Sequence, residues 1–281
     1  MLMRLCNLFH LQEMFVYLGA IPRAMSDYDS ILPEGRGVWV PIDHGASDYP
    51  AKGLENLEGL IAAVVRGGAD AIIAHKGVIS AFGHLHPGHM IAHLSASTRH
   101  GGKRSDDKVL VGSCEEMLSR GAVAVSAQIN LGSEYEAEMI ERMGAVTEEA
   151  HLLGMPSLGM VYARGPGLNL LVDDETKGIA HAARLGFELG CDVVKTSWTG
   201  NASSFAKVTA GVPIPVLIAG GDSQIGDLGL LEMVHQAIVA GAAGVCMGRQ
   251  IFTHPNPEKI TRAIVQIVHE GATVEEAFAI L

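Results

Sequence analysis

The chain has 281 residues, 48% of them hydrophobic, with a mean hydropathy of +0.25. That length and apolar content exclude both a small stapled module and a disordered chain. A net charge of −11 and a pI near 5.6 argue against a broad basic surface for nucleic acid or anionic lipid. Any anionic substrate must then be held by a few local groups.

The first twenty residues are apolar but interrupted by Asn7, His10, Gln12 and Glu13, with no A-x-A site after them, so a signal peptide is not expected. Residues 1–35 read as an extension and residues 36–281 as one folded domain. From residue 38 onward short apolar runs alternate with helical periodicity, the pattern of repeated βα units. The runs are 38–43, 71–75, 91–95, 122–129, 157–163, 193–197, 216–220 and 244–248. Helices are expected near 54–66, 113–120, 134–153, 174–189, 201–210, 228–240 and 257–270, while 76–112 offers no clear helix. No window is apolar for long enough to span a membrane. Cys6, Cys114, Cys191 and Cys246 show no C-x-x-C spacing, which suits a reducing cytoplasm rather than a disulfide framework.

An internal signature supports this register. Gly68-Ala69-Asp70, Gly121-Ala122-Val123, Gly190-Cys191-Asp192 and Gly241-Ala242-Ala243 each read as a glycine helix cap entering a buried strand. The glycines are 53, 69 and 51 residues apart, about two βα units each. The expected fold is therefore α/β, a single-domain (β/α)8 TIM barrel. The rival, a doubly wound open sheet, would place G-x-G-x-x-G after the first strand, where the sequence reads Pro41-Ile42-Asp43-His44-Gly45.

A barrel keeps its chemistry at the carboxyl ends of its strands, and polar residues collect there. Of eight lysines, six lie in helical or loop contexts that suit a solvated side chain. Lys195 follows Val193-Val194 in a buried strand, and alternation points it inward. Burial should lower its pKa toward the neutral amine that Schiff-base formation needs, unless it is a structural lysine paired to a carboxylate. Lys76, after the second strand, is a rival nucleophile or a second cation. Asp43 can act as a general base or cap the following turn. Tyr162 can move a proton at the barrel mouth or simply pack. Gly220-Gly221 and Gly248-Arg249 end the last two strands, where barrels often hold phosphate. His84, His86, His89 and His93 form the densest histidine set, yet no carboxylate partner stands nearby, and no metal is assigned.

The segments PIDHG, ADAIIAHKG, INLGSEYEAEM, VYARG, HAARLGFELGCDVVKTSWTG, PVLIAGG and MGRQIF, in order over about residues 36–281, resemble the archaeal-type class I aldolases. That group includes fructose-bisphosphate aldolases and the synthases that join a ketose phosphate to L-aspartate semialdehyde, giving amino-heptulosonate precursors of aromatic compounds. The resemblance implies a Schiff base on Lys195, proton abstraction by Asp43 and proton donation by Tyr162. It places phosphoketose contacts on Asp43, His44, Gly45, Ala46, Ser47, Tyr162, Ala163, Arg164, Gly220, Gly221, Gly248 and Arg249. It implies no cofactor, a (β/α)8 barrel and a homo-oligomer, often a decamer. Two residues depart from the heptulosonate-type pattern: Trp198 stands in place of tyrosine and Ala163 in place of proline. Donor and acceptor identity stay open on that account, with fructose-bisphosphate aldolase, thiolase-like acyl transfer, metal-dependent aldolase and non-catalytic sugar-phosphate sensor as the other readings.

Overall fold

Eight parallel strands close on themselves in chain order. In the computed structural model residues 28–48, 51–171, 175–221 and 225–281 are described. The strands are β1 (Gly37–Pro41), β2 (Ala71–Ala74), β3 (Met90–His93), β4 (Ala124–Leu131), β5 (Ser157–Ala163), β6 (Val193–Thr196), β7 (Val216–Ala219) and β8 (Gly244–Cys246). Each falls on one of the eight apolar runs. Strands buried on both faces need no polar alternation, which is why these runs are continuously apolar.

Alternation still decides which side chain goes where. Trp39, Ala71, Ile73, Ile91, Leu158, Met160, Val193, Leu217 and Cys246 fill the barrel interior. Their neighbours Val38, Val40, Ile72, Val194, Ile218 and Val245 pack outward against the helices. Counting by twos from Val193 turns Lys195 inward, and counting by twos from Leu158 and Met160 turns Tyr162 inward.

The seven expected helices are found at Leu57–Gly67, Cys114–Ser119, Glu136–Leu152, Glu175–Glu188, Ala202–Thr209, Gly226–Val239 and Pro257–Glu270. Asn56, Ser113, Asn201 and Asn256 each cap a first turn by accepting from the backbone N–H three residues on. The stretch that offered no helix contains one, Lys76–Phe82, followed after β3 by a two-stranded ribbon pairing Ser95–Ala96 with Val109–Leu110. Two helical turns containing Gly77 are too short to show a period, and the ribbon is held by contacts remote in sequence.

The glycine signature has one structural cause. Gly68, Gly121, Gly190 and Gly241 have φ of +94°, +91°, +84° and +88°. In all four turns the next residue donates to a carbonyl five positions back: Ala69 to Val64, Ala122 to Met117, Cys191 to Gly186 and Ala242 to Ala237. This is the Schellman closure, and the left-handed residue it needs strains any side chain. Residues 28–35, assigned to the extension, pack under the barrel: Ile31 and Leu32 are buried in its inner cluster, and Trp39 Nε1 donates to the Ile31 carbonyl. Residues 1–27 lie outside the described residues.

Candidate active site

At the carboxyl ends of the strands a cavity of about 350 Å³ opens between the βα loops. Lys195 on β6 is 6% exposed and stands among Tyr162, Cys246 and Asp43. Burial pulls its pKa down, but Cys246, Tyr162 and Asp43 together outweigh burial and hold it above the usual lysine range. At neutral pH the Cys246 thiol and the Tyr162 phenol are protonated, so the Asp43 carboxylate is the charge that favours the Lys195 ammonium against burial there. That ammonium must hand a proton to a neighbour before the amine attacks a carbonyl. Tyr162 stands beside it, its own pKa raised by burial against the opposing pull of Lys195. Burial also pushes the Cys246 thiol up to about 11.

Asp43, just past β1, makes no side-chain cap to the short helix His44–Ser47 that follows. Its Oδ2 lies 3.8 Å from Nε2 of His93 at the end of β3, and its Oδ1 has no hydrogen-bond partner although it is buried. Burial raises its pKa, but His93, His44, Lys195 and His75 more than offset that and bring it to about 2. Burial likewise keeps the imidazoles neutral, lowering His44, His75 and His93, the last to about 3.

Two cationic walls face each other across this floor. Arg249 lies beside Gly220, Gly221 and Gly248 at the ends of β7 and β8. A Cβ on Gly248 would come within 2.4 Å of the Pro41 carbonyl, so backbone packing demands glycine there, while one on Gly220 would displace the Gln250 amide, 2.0 Å away. Gln250 Nε2 donates to the carbonyls of Gly220 and Gly221 and fixes this loop. On the opposite wall Arg164 stacks 4.6 Å above the Tyr162 ring and donates from Nε to Asn130 Oδ1 at 2.9 Å. Lys108 stands with it, its pKa lowered by burial and by Arg164 against the pull of Asp43 and Asp106.

The structure thus brings Asp43, His44, Ser47, Tyr162, Arg164, Lys195, Gly220, Gly221, Gly248 and Arg249 to one cavity. Gly45 and Ala46 sit in the adjoining turn without lining it, and Ala163 and Trp198 line a neighbouring cavity, where Trp198 packs 5.0 Å from Phe205. Lys76 does not reach the site; its ammonium pairs with Glu116 on the outside at 3.1 Å. The histidine set divides. His86 and His89 stack on each other and bond the carbonyls of Ala69 and Asp70, whereas His93 joins Asp43 in the floor. Lys108 and Cys246 had not been singled out. Cys246 was legible as the inward position two before Gly248, but Lys108 reaches the cavity only through the illegible ribbon.

The model of the DeoC/LacD family aldolases matches residues 38–254, most of the chain and all eight strands except the first residue of β1. The chain belongs to the DeoC/LacD aldolase family. It is 39% identical over 253 residues to a 2-amino-3,7-dideoxy-D-threo-hept-6-ulosonate synthase of Halobacterium salinarum, covering 89% of this chain and 92% of that protein. A 2-amino-4,5-dihydroxy-6-oxo-7-(phosphonooxy)heptanoate synthase of Streptomyces griseus is 37% identical over 83% of this chain and 85% of its own. Among solved structures, a Schiff-base-forming fructose-1,6-bisphosphate aldolase superposes with a TM-score of 0.78 at 25% identity, covering 87% of this chain and 99% of that one. The DeoC/LacD barrel and its carbon–carbon bond chemistry are therefore those of this enzyme.

Proposed function

We propose that this enzyme joins a ketose phosphate to an aldehyde bearing a carboxylate, L-aspartate semialdehyde, through a Schiff base on Lys195. The observation that carries the reading is the inward, buried Lys195 in one cavity with Tyr162 and Asp43, set between two cationic walls. The donor is dihydroxyacetone phosphate or a deoxyketohexose phosphate, its phosphate seated on Gly220, Gly221, Gly248 and Arg249. The acceptor's anionic end faces Arg164 and Lys108.

Lys195 gives up a proton through Tyr162, and its amine adds to the donor carbonyl. Loss of water then leaves an iminium, which draws electrons from the adjacent carbon. Carbon–carbon cleavage of a ketohexose donor, in which a base takes the hydroxyl proton and the departing half leaves as an aldehyde, or proton loss from dihydroxyacetone phosphate to Asp43, gives the enamine. The enamine carbon attacks the aldehyde, the new alkoxide takes a proton, and water releases the product from Lys195. Positioning of both partners supplies much of the acceleration, because their charged ends are held while the reacting carbons meet. The names of the Halobacterium and Streptomyces relatives support the seven-carbon amino product. The three described cysteines, all unpaired, suit a cytoplasmic enzyme.

Fructose-bisphosphate aldolase is the second reading, favoured by the superposition on the Schiff-base aldolase; it shares every step and differs in the acceptor. Incubation with dihydroxyacetone phosphate and each aldehyde in turn separates them. A product whose mass is the sum of dihydroxyacetone phosphate and aspartate semialdehyde is expected. Turnover with glyceraldehyde 3-phosphate alone would overturn the assignment of the acceptor.

A further inference from the structure

The carboxylate of Asp43 has two unlike oxygens. Oδ2 faces Nε2 of His93 at 3.8 Å, while Oδ1 is buried with no hydrogen-bond partner; the nearby His44 Nδ1, at 3.4 Å, is likewise without one. His93 is 2% exposed, and its surroundings fix it. Its Nδ1 lies 2.8 Å from Ser126 Oγ on β4, its backbone carbonyl accepts from His75 Nδ1 at 3.0 Å, and the His75 ring stands 5.3 Å from its own.

Hydrogen-bond chemistry settles how the protons run along this chain. A carbonyl only accepts, so His75 carries its proton on Nδ1. His93, neutral because it is buried, has one ring proton to place. On Nδ1 it would leave the Nε2 lone pair facing a carboxylate, lone pair against charge. On Nε2 it points at Asp43, and the Ser126 hydroxyl donates to Nδ1, so every group is used in its proper sense.

We infer that His93, held by Ser126, is the positioning residue that orients the Asp43 carboxylate for proton transfer with the substrate. This rests on Asp43 being the proton-transfer group of the proposed reaction. The gap of 3.8 Å is longer than a hydrogen bond. In the proposed cycle it closes to a hydrogen bond when bound substrate presses the carboxylate toward Nε2, as catalytic contacts tighten on binding. Every titratable group facing Asp43 enters its balance: His44 beside it, His75 from β2, His93 from β3, Lys108 from the ribbon, Lys195 from β6 and Cys246 from β8. The three imidazoles are neutral at pH 7, so among these groups only the two lysines oppose its charge there.

Substitution by amides tests the direction of the chain, because the asparagine nitrogen falls near Nδ1 and the glutamine nitrogen near Nε2. Native enzyme, His93→Gln, His93→Asn and Ser126→Ala are each given dihydroxyacetone phosphate. Borohydride trapping at Lys195 is read by mass, and donor carbon–hydrogen exchange in D₂O is followed against pH. Trapping is expected in all four. His93→Asn should move the acid limb of exchange up by about one pH unit, a tenfold loss on that side, because Asp43 then holds its proton more tightly. His93→Gln should stay within about threefold of native, and Ser126→Ala should fall between them. An unchanged acid limb in His93→Asn, with trapping intact, overturns the inference, and if that variant does not fold the Ser126→Ala limb decides the same question. Loss of trapping in the native enzyme would instead overturn the aldolase reading beneath it.

Discussion

The two ends of the barrel are built from the same strands and treat buried polar groups in opposite ways. At the amino end, Asp70 accepts from Val38 N at 2.6 Å and lies 2.7 Å from His269 Nε2, while Asp192 accepts from Ser157 N and Ser157 Oγ, both at 2.8 Å. These carboxylates follow two of the four repeated glycine turns and tie each turn to the strand before it. At the carboxyl end, the three buried polar side-chain atoms left without partners among the described residues are Asp43 Oδ1, His44 Nδ1 and Thr196 Oγ1. Asp43 and His44 line the cavity, whereas Thr196 shares the outward face with Val194. Pairing Asp70 and Asp192 while leaving the first two unpaired marks the carboxyl end as the ligand end. Size does not mark the difference: the larger cavity, about 650 Å³, is at the amino end, between Tyr28–Arg36 and the starts of β6 to β8.

The largest effect expected from the contrast is at Lys195. Lys195→Met should cut turnover by more than about 10³-fold while leaving the fold intact, since it removes the nucleophile and a buried charge together. A rate near native would break the comparison outright. Tyr162→Phe keeps the packing and loses the hydroxyl, for which a fall of about 10²- to 10⁴-fold in kcat is expected from steady-state kinetics. Removing a cation from the acceptor wall sharpens the account: Lys108→Ala should raise KM for the aldehyde by about tenfold and leave KM for the ketose phosphate near native.

At the amino end the sign reverses. Asp192→Ala should cost about 1–3 kcal/mol in urea unfolding, through the stranded Ser157 N–H, with KM values unchanged. The pH dependence of stability separates the ends once more. His93 has its folded pKa lowered from 6.5 to about 3, so its contribution is complete above pH 6.5 and is lost as the pH falls toward 3. In His93→Asn the fall of unfolding free energy between about pH 6 and pH 4 should be shallower by up to about 1.4 kcal/mol per pH unit, one proton's worth.

Much of this was legible before any coordinates. Eight apolar runs and four glycine turns place the strands because burial and the left-handed cap leave local marks in sequence. Lys195 and Tyr162 could be turned inward by counting in twos. The errors fall where long-range contacts decide. Lys76 stands just after a strand, a place that suits a catalytic lysine, yet it opens the helix Lys76–Phe82 and pairs with Glu116, forty residues on. Lys108 reads as a solvated lysine until the ribbon carries it to Arg164. The expected depression of the Lys195 pKa weighs burial, whereas the carboxylate that opposes burial, Asp43, comes from the turn after β1. By spacing His93 falls with three other histidines, but the connection from β2 to β3 includes the helix Lys76–Phe82 and returns to the strand starts, leaving His86 and His89 beside Ala69 and Asp70 at the amino end.

The central claim, that Lys195 is the covalent centre of the open end, is tested most directly by reducing the enzyme with borohydride in the presence of dihydroxyacetone phosphate and locating the mass change by peptide mapping. The account predicts an adduct on Lys195 and none on Lys76 or Lys108. An unmodified chain, or an adduct on another lysine, would contradict it.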